Sequence, residues 1–210
     1  VDLRHNKTMV MAGARGELLL NPLNFFNGWR NKAGGHDFDL NFSAGAELGY
    51  LAKNDFGNGR FHNSYYGVTT ALQFLYRINT PGTYIYLEPR YLSTYYTAPY
   101  TGTKINHTVS DNMFSMNLGV RTYLTDPSFV PANSHKMLPE WWVGADFGSM
   151  YVMRSSAFTT PGGLGMNPSL TFSAGYDYKP LLSFRAQLAY QHYSDYQNTS
   201  YSGLTADNKY

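Results

Sequence analysis

The chain has 210 residues, a formal net charge of +2, 17% aromatic and 14% charged residues, and no cysteine. This composition excludes a disulfide framework and thiolate metal sites, and the absence of a Lys/Arg run argues against nucleic acid as a partner. No window approaches about 18 continuous apolar residues, which excludes a spanning helix but not a spanning barrel, whose strands are apolar only at alternate positions. The length suits a single domain over residues 1–210.

Alternation of apolar and polar residues predicts the strands, and it is clearest over residues 37–53. There Phe38 and Leu40 share one face of the strand, while Asp39 takes the other. Pro89 indicates a bulge within its own strand. The pattern predicts an all-β, antiparallel, up-and-down barrel of about eight strands, with ten as the alternative. The predicted strands are 8–20, 37–53, 64–77, 83–96, 113–125, 141–153, 167–178 and 183–194.

The alternation alone leaves open whether the apolar face points inward, as in a lipocalin-like soluble barrel, or outward into lipid. All seven lysines fall in connections or at strand ends, whereas the polar faces of the strands carry arginines and carboxylates. Because the guanidinium fork satisfies several acceptors at once, Arg without Lys indicates a buried, paired network inside a narrow barrel. The residues of this predicted lumen network are Arg15, Glu17, Asp39, Glu47, Arg77, Glu88, Arg90, Arg121, Asp146, Asp177 and Arg185.

Aromatic residues cluster towards the strand ends, as expected for girdles at the two lipid interfaces of a transmembrane barrel. They are Tyr65, Tyr66, Tyr76, Tyr95, Tyr96, Trp141, Trp142, Tyr151, Tyr176, Tyr178, Tyr190 and Tyr193. At this point the chain resembles the small, OmpA-like outer-membrane β-barrels of Gram-negative bacteria over nearly its whole length. The resemblance implies location in the bacterial outer membrane and contact with its lipids, including lipopolysaccharide.

The shortest turns, around 79–82 and 179–181, fall on one end of the barrel, and short turns are usually periplasmic. This assignment makes the connections 97–112 and 155–166 extracellular. The chain would then start and end outside, contrary to the habit of the family. Either a strand is missing at each end, or the orientation is inverted.

Residues 188–195, LAYQHYSD, carry the one candidate for catalysis. His192 and Ser194 share the lipid-facing side of their strand, and a His beside a Ser is the minimum for a serine nucleophile. The pair resembles the His-x-Ser motif of PagL-type lipid A deacylases, whose site faces lipid near the extracellular rim. That resemblance implies His192 as general base and Ser194 as nucleophile. The chain departs from the motif at Asp195, where an Asn normally follows, and the nearest downstream carboxylate is Asp207.

No metal site and no cofactor are predicted, because the six histidines are widely spaced and no phosphate-loop context surrounds the glycine pairs. Glu88 and Arg90 share a face and could line a transport path, although an eight-stranded lumen is normally filled by side chains. The preferred function is therefore non-enzymatic: a structural or membrane-anchoring barrel, or one subunit of a complex with other envelope proteins. The alternatives are a lipid A deacylase and a narrow porin for small solutes.

Overall fold

The computed structural model forms a closed antiparallel barrel in which each strand pairs with its neighbours in sequence and β1 pairs with β8. The strands are β1 (His5–Leu20), β2 (Phe38–Asp55), β3 (Gly59–Arg77), β4 (Thr83–Pro99), β5 (Asn106–Tyr123), β6 (Glu140–Ser155), β7 (Pro168–Lys179) and β8 (Leu182–Gln197). The described residues are 5–22, 38–55, 59–78, 82–99, 106–124, 140–155, 167–179 and 182–197. The predicted fold class is confirmed, and closure occurs with eight strands rather than ten. Within these ranges there is no helix that could span a membrane.

The apolar face of the wall points outward and the charged face points into the lumen. Leu48 is 68% exposed and Leu188 is 66% exposed, whereas Glu88 and Arg90 are 0% and 1% exposed. The alternation read from the sequence sets this arrangement, because successive side chains of a strand point to opposite faces of the sheet. The lipocalin-like arrangement, with an apolar interior and a polar exterior, is therefore wrong.

Most strands extend beyond their predicted bounds. β5 begins at Asn106 rather than at residue 113, because the polar stretch before Met113 pairs with the end of β4, with Pro99 opposite Asn106. Backbone hydrogen bonds need no apolar pattern, so a polar strand end is invisible to a reading based on alternation. The connection predicted at 97–112 is consequently mostly strand, and only 100–105 lie outside the described residues.

The bulge predicted at Pro89 is wrong. On β3, Ala71 lies opposite Arg90 and Phe74 lies opposite Leu87, so the register passes the proline without an inserted residue. The lack of an N–H at Pro89 interrupts the pairing with β3 without shifting it. Shifts of register occur elsewhere, between Asn112 and Met113 and between Asp177 and Lys179.

The aromatic pairs split between the two faces, which corrects the prediction that they all belong to the girdles. Tyr66 and Trp141 are exposed on the outer surface, whereas their neighbours Tyr65 and Trp142 are buried in the lumen. Tyr96 also points inward and is 3% exposed. Adjacent residues of a strand cannot share a face, so only one member of each pair is available to a girdle. The side chain of Tyr193 lies outside the described residues.

Two outer bands of aromatic residues nevertheless remain, separated along the barrel. Tyr66 and Tyr76 lie at opposite ends of the apolar stretch of β3, and both are more than half exposed. Ten residues at about 3.3 Å each place them about 33 Å apart along the strand. A tilt of about 40° from the barrel axis reduces this to about 25 Å, which is the height of the lipid-facing band of outer-membrane barrels.

Candidate functional site

The lumen is the candidate site, and its middle is occupied by four buried charges that we call the central network: Glu17, Glu88, Arg90 and Arg185. Arg90 donates to both carboxylates, with 2.5 Å from Nη2 to Glu88 Oε1. Arg185 does the same, with 2.7 Å from Nε to Glu17 Oε2 and 2.6 Å from Nη1 to Glu88 Oε2. Each guanidinium therefore bridges two carboxylates. This arrangement uses the planar donor geometry that lysine lacks.

Neutral side chains surround the central network and form further hydrogen bonds with its charged groups. Thr69 accepts from Arg90 Nη1 at 2.7 Å, Ser43 accepts from Arg185 Nη2 at 3.2 Å, and Gln73 donates to Glu88 at 3.1 Å. Gln187 Oε1 accepts from Arg90 Nη2 at 3.1 Å. A buried ion pair is tolerated only when further hydrogen bonds offset its desolvation, and here they come from several strands of the wall.

The end of the barrel where β1 begins and β8 ends, here called the terminal end, is filled by apolar side chains. This apolar plug consists of Met9, Met11, Leu51, Tyr65, Leu92, Tyr96, Met113 and Met150. All of its members are 3% exposed or less. Methionine suits this position because its flexible thioether fills irregular space. The plug was missed from sequence, because its residues belong to the inward face that was expected to be polar.

Two tyrosines of the apolar plug face carboxylates with their hydroxyl groups. Tyr65 donates to Glu47, which is also ion-paired with Arg15, and Tyr96 donates to Asp111 Oδ2 at 2.7 Å. Asp111 is 0% exposed and was absent from the predicted network. The plug is therefore apolar in its body and polar where it meets the charged parts of the lumen, as expected for buried tyrosine.

At the opposite end, a group that we call the far cluster surrounds Asp177. Arg121 Nη2 donates to both of its oxygens at 3.1 and 3.2 Å, Tyr123 donates at 2.7 Å, and Trp142 Nε1 donates at 3.0 Å. The guanidinium of Arg121 lies 3.9 Å from the centre of the Trp142 ring, in a cation–π contact. The members of the far cluster are Arg121, Tyr123, Trp142 and Asp177. It lies at the end of the lumen away from the apolar plug.

The structure brings most of the predicted lumen network into the barrel. Nine of its eleven residues are 6% exposed or less: Arg15, Glu17, Glu47, Glu88, Arg90, Arg121, Asp146, Asp177 and Arg185. Asp39 and Arg77 are only half-buried, because they lie near the strand ends. Asp39 accepts a hydrogen bond from Asn21. Asp146 accepts from the Tyr86 hydroxyl at 2.8 Å and forms no ion pair with an arginine of the described strands.

The residues of the catalytic prediction lie on β8, at the terminal end of the barrel. His192 is half-buried on β8, on the same side as Leu188 and Tyr190, and lies opposite Val10 of β1. Ser194 lies two residues further along β8, opposite Thr8. Its side chain, like that of Asp195, falls outside the described residues. The His192 and Ser194 pair therefore stays a prediction.

The chemistry available in the lumen is that of a packed interior. Inward side chains of the eight strands are mostly buried, and several form hydrogen bonds across the lumen between strands that do not pair. Among the described residues, no group of three His, Asp or Glu side chains could hold a metal ion. No protein-family model matches the chain, and no significant similarity to a curated protein was found.

Proposed function

We propose that the chain is a bacterial outer-membrane β-barrel with a structural or anchoring role and a lumen filled by side chains. The observation that carries this proposal is the inverted polarity of the wall, with large apolar residues outside and arginine–carboxylate pairs inside. Monomeric soluble proteins rarely expose contiguous apolar patches larger than a few hundred Å², whereas here the apolar surface encircles the barrel. Lipid is the solvent that suits such a surface.

Three observations support the OmpA-like architecture over a transport function. The strand number is eight, the apolar plug and far cluster fill the two ends of the lumen, and the central network crosses the middle. An eight-stranded barrel has an interior just wide enough for side chains to fill. The proposed partners are therefore membrane lipids, including lipopolysaccharide, and other envelope proteins at the barrel ends.

The proposed orientation places the terminal end in the periplasm, which inverts the expectation from the short turns. The two longest connections, 21–37 and 124–139, both join strands at the opposite end. Long connections are usually extracellular in outer-membrane barrels. The start of β1 and the end of β8 then face the periplasm, and closure with eight strands removes the need for missing strands. His192 and Ser194 would lie at the periplasmic rim, not at the extracellular rim used by PagL-type enzymes.

Envelope fractionation tests this proposal. The chain is expressed behind a signal peptide in a Gram-negative host, and membranes are washed with alkaline carbonate before detergent extraction. We expect the chain to stay with outer membranes, to need detergent for release, and to migrate differently on gels when unheated, because a closed barrel resists SDS. Release by carbonate alone together with unchanged mobility on heating would contradict the proposal. A soluble periplasmic marker serves as the control for complete washing.

A further inference from the structure

Asp146 differs from the other buried carboxylates of the middle of the lumen in how it is balanced. Glu17 and Glu88 share two arginines, whereas Asp146 accepts a hydrogen bond from the Tyr86 hydroxyl through its Oδ2 and forms no ion pair with an arginine of the described strands. Its second oxygen, Oδ1, is buried and accepts no hydrogen bond from the described residues. An isolated buried carboxylate oxygen is costly, so a donor is expected beside it.

Two further buried polar atoms without partners lie on the neighbouring strands. They are Ser173 Oγ on β7 and Gln187 Nε2 on β8, and their residues are 7% and 3% exposed. Ser173 lies directly opposite Gln187 in the register. Asp146 lies opposite Thr171, which is the inward-facing residue next to Ser173 on β7. Such cross-strand and diagonal neighbours have side chains within reach of each other. Three strands thus present polar atoms without partners at one level of the wall.

β6 carries a glycine at this level, and the Ser173 hydroxyl occupies the space above it. Gly144 lies opposite Ser173, and a Cβ built on it would come 2.9 Å from Ser173 Oγ. The serine hydroxyl therefore leans towards β6, the strand that carries Asp146. The three atoms nevertheless form no direct hydrogen bonds with one another. They are neighbours in register that do not satisfy one another, and a molecule between them would supply the missing hydrogen bonds.

The donor and acceptor character of the three atoms selects the occupant. Asp146 Oδ1 accepts, Ser173 Oγ donates or accepts, and Gln187 Nε2 donates. The amide orientation of Gln187 is fixed, because its Oε1 accepts from Arg90 Nη2. The Gln187 N–H group among these atoms disfavours a cation, because a cation binds acceptors. Water, which donates two hydrogen bonds and accepts two, matches all three atoms, and buried waters typically form about three hydrogen bonds.

We propose that Asp146, Ser173 and Gln187 form a binding site for one internal water molecule, which links β6, β7 and β8 inside the lumen. The water donates to Asp146 and accepts from Gln187, and Ser173 is its third partner. It stabilises a buried carboxylate that forms no ion pair with an arginine of the described strands. The water thereby links β6, β7 and β8 without a charge of its own, whereas the ion pairs of the central network link β1, β4 and β8. The site does not depend on which membrane holds the barrel.

A crystal structure of the detergent-purified protein, at a resolution that shows ordered water, tests the site. We expect one density peak at about 2.7 to 3.2 Å from each of the three atoms. Ser173→Val, which places a methyl group in the site, should lose the peak. Ser169→Ala is the matched control, because Ser169 lies on the same strand and face and donates directly to Asn117 at 2.8 Å. It should keep the peak.

Three outcomes would overturn the proposal. The first is the absence of a peak between the three atoms in the wild-type protein, in a map that shows other ordered water. The second is an anomalous signal at the site after soaking in thallium, which would identify a cation. The third is a peak that persists unchanged in Ser173→Val. If Ser173→Val does not fold, Ser173→Ala replaces it, and the peak should then be lost or displaced from the position of the Ser173 hydroxyl.

Discussion

Glu17 and Arg90 lie on strands that do not pair with each other, yet they form a buried ion pair across the lumen. Glu17 belongs to β1 and Arg90 to β4, and the second of their two hydrogen bonds measures 3.3 Å from Nη2 to Oε2. Because β2 and β3 lie between these two strands in the closed barrel, the pair crosses the lumen. The interior is thus held together by side chains as well as by the backbone ladder.

Removal of one partner of this pair should destabilise the barrel strongly. Arg90→Met leaves Glu17 and Glu88 with Arg185 as their remaining partner in the central network, and we expect a loss of about 3–5 kcal/mol. The measurement is reversible urea unfolding in lipid vesicles. Arg77→Met is the control, because Arg77 is only half-buried near a strand end. It should cost about 1 kcal/mol or less. Equal losses in the two variants would contradict a special role for the central network.

A charge on the outer wall should be tolerated according to its depth in the membrane. Leu118 and Leu124 are both 63% exposed; the first lies within the exposed apolar face of β5 and the second just past the end of that strand. In lipid, Leu118→Arg should cost about 2–4 kcal/mol and Leu124→Arg about 0–1 kcal/mol. Unfolding in vesicles measures both. In a soluble barrel the two substitutions would lower the free energy of unfolding by similar amounts. Equal losses would therefore count against the proposed function.

Two glycines provide a test of packing inside and outside the wall. A Cβ on Gly175 would overlap the Trp142 indole, whereas a Cβ on Gly16 would meet nothing within 4 Å. We expect Gly175→Ala to lose about 1–3 kcal/mol through overpacking of the far cluster. Gly16→Ala should be neutral or gain up to about 1 kcal/mol, since alanine restricts the unfolded chain. Thermal or urea unfolding measures the stability of both variants. A larger loss in Gly16→Ala than in Gly175→Ala would mean that Trp142 does not pack against β7.

The lumen should not conduct ions. Planar bilayers containing the wild-type protein should show no steady open level, because the apolar plug, the central network and the far cluster lie one after another along the barrel. Arg90→Ala should also remain silent, since the two outer groups persist. A steady open level in the wild-type protein would favour the narrow porin. A steady open level in Arg90→Ala alone would mean that only the central network blocks the lumen.

The lipid A of cells expressing the chain should be unchanged. Mass spectrometry of lipid A is compared between cells with the wild-type chain and cells with Ser194→Ala, and we expect identical spectra. Loss of one acyl chain that depends on Ser194 would instead establish the deacylase and overturn the non-enzymatic function. His192→Ala then provides the matching test of the general base.

The fold could be predicted because one physical rule, alternation along a strand, is written directly in the residues. Phe42 and Ser43 point to opposite sides of the wall in the structure as in the sequence. The presence of arginine without lysine on the polar faces of the strands further predicted that the charges point inward. Strand ends were less accessible, because pairing at Asn106 and Pro99 depends on backbone groups that every residue carries.

The pairing within the lumen could not be predicted, because it depends on the stagger of the whole barrel. Nothing in the sequence indicates that Arg185 meets Glu17 and Glu88 while Asp146 meets Tyr86. The apolar plug was missed for a different reason. Met113 and Met150 are inward residues that are neither charged nor small, and the expectation of a polar lumen gave them no place.

The pairing of β1 with β8 determines how this chain can fold. His5 lies opposite Gln197, so the closing ladder joins residues from nearly the two ends of the chain. Contacts of such long sequence separation form slowly, since the entropy of closing the loop opposes them. Until the last strand arrives, the edges of the growing sheet expose backbone donors and acceptors that can pair with other chains. The barrel is therefore committed to late closure, and newly made copies need protection from one another until the ladder is complete.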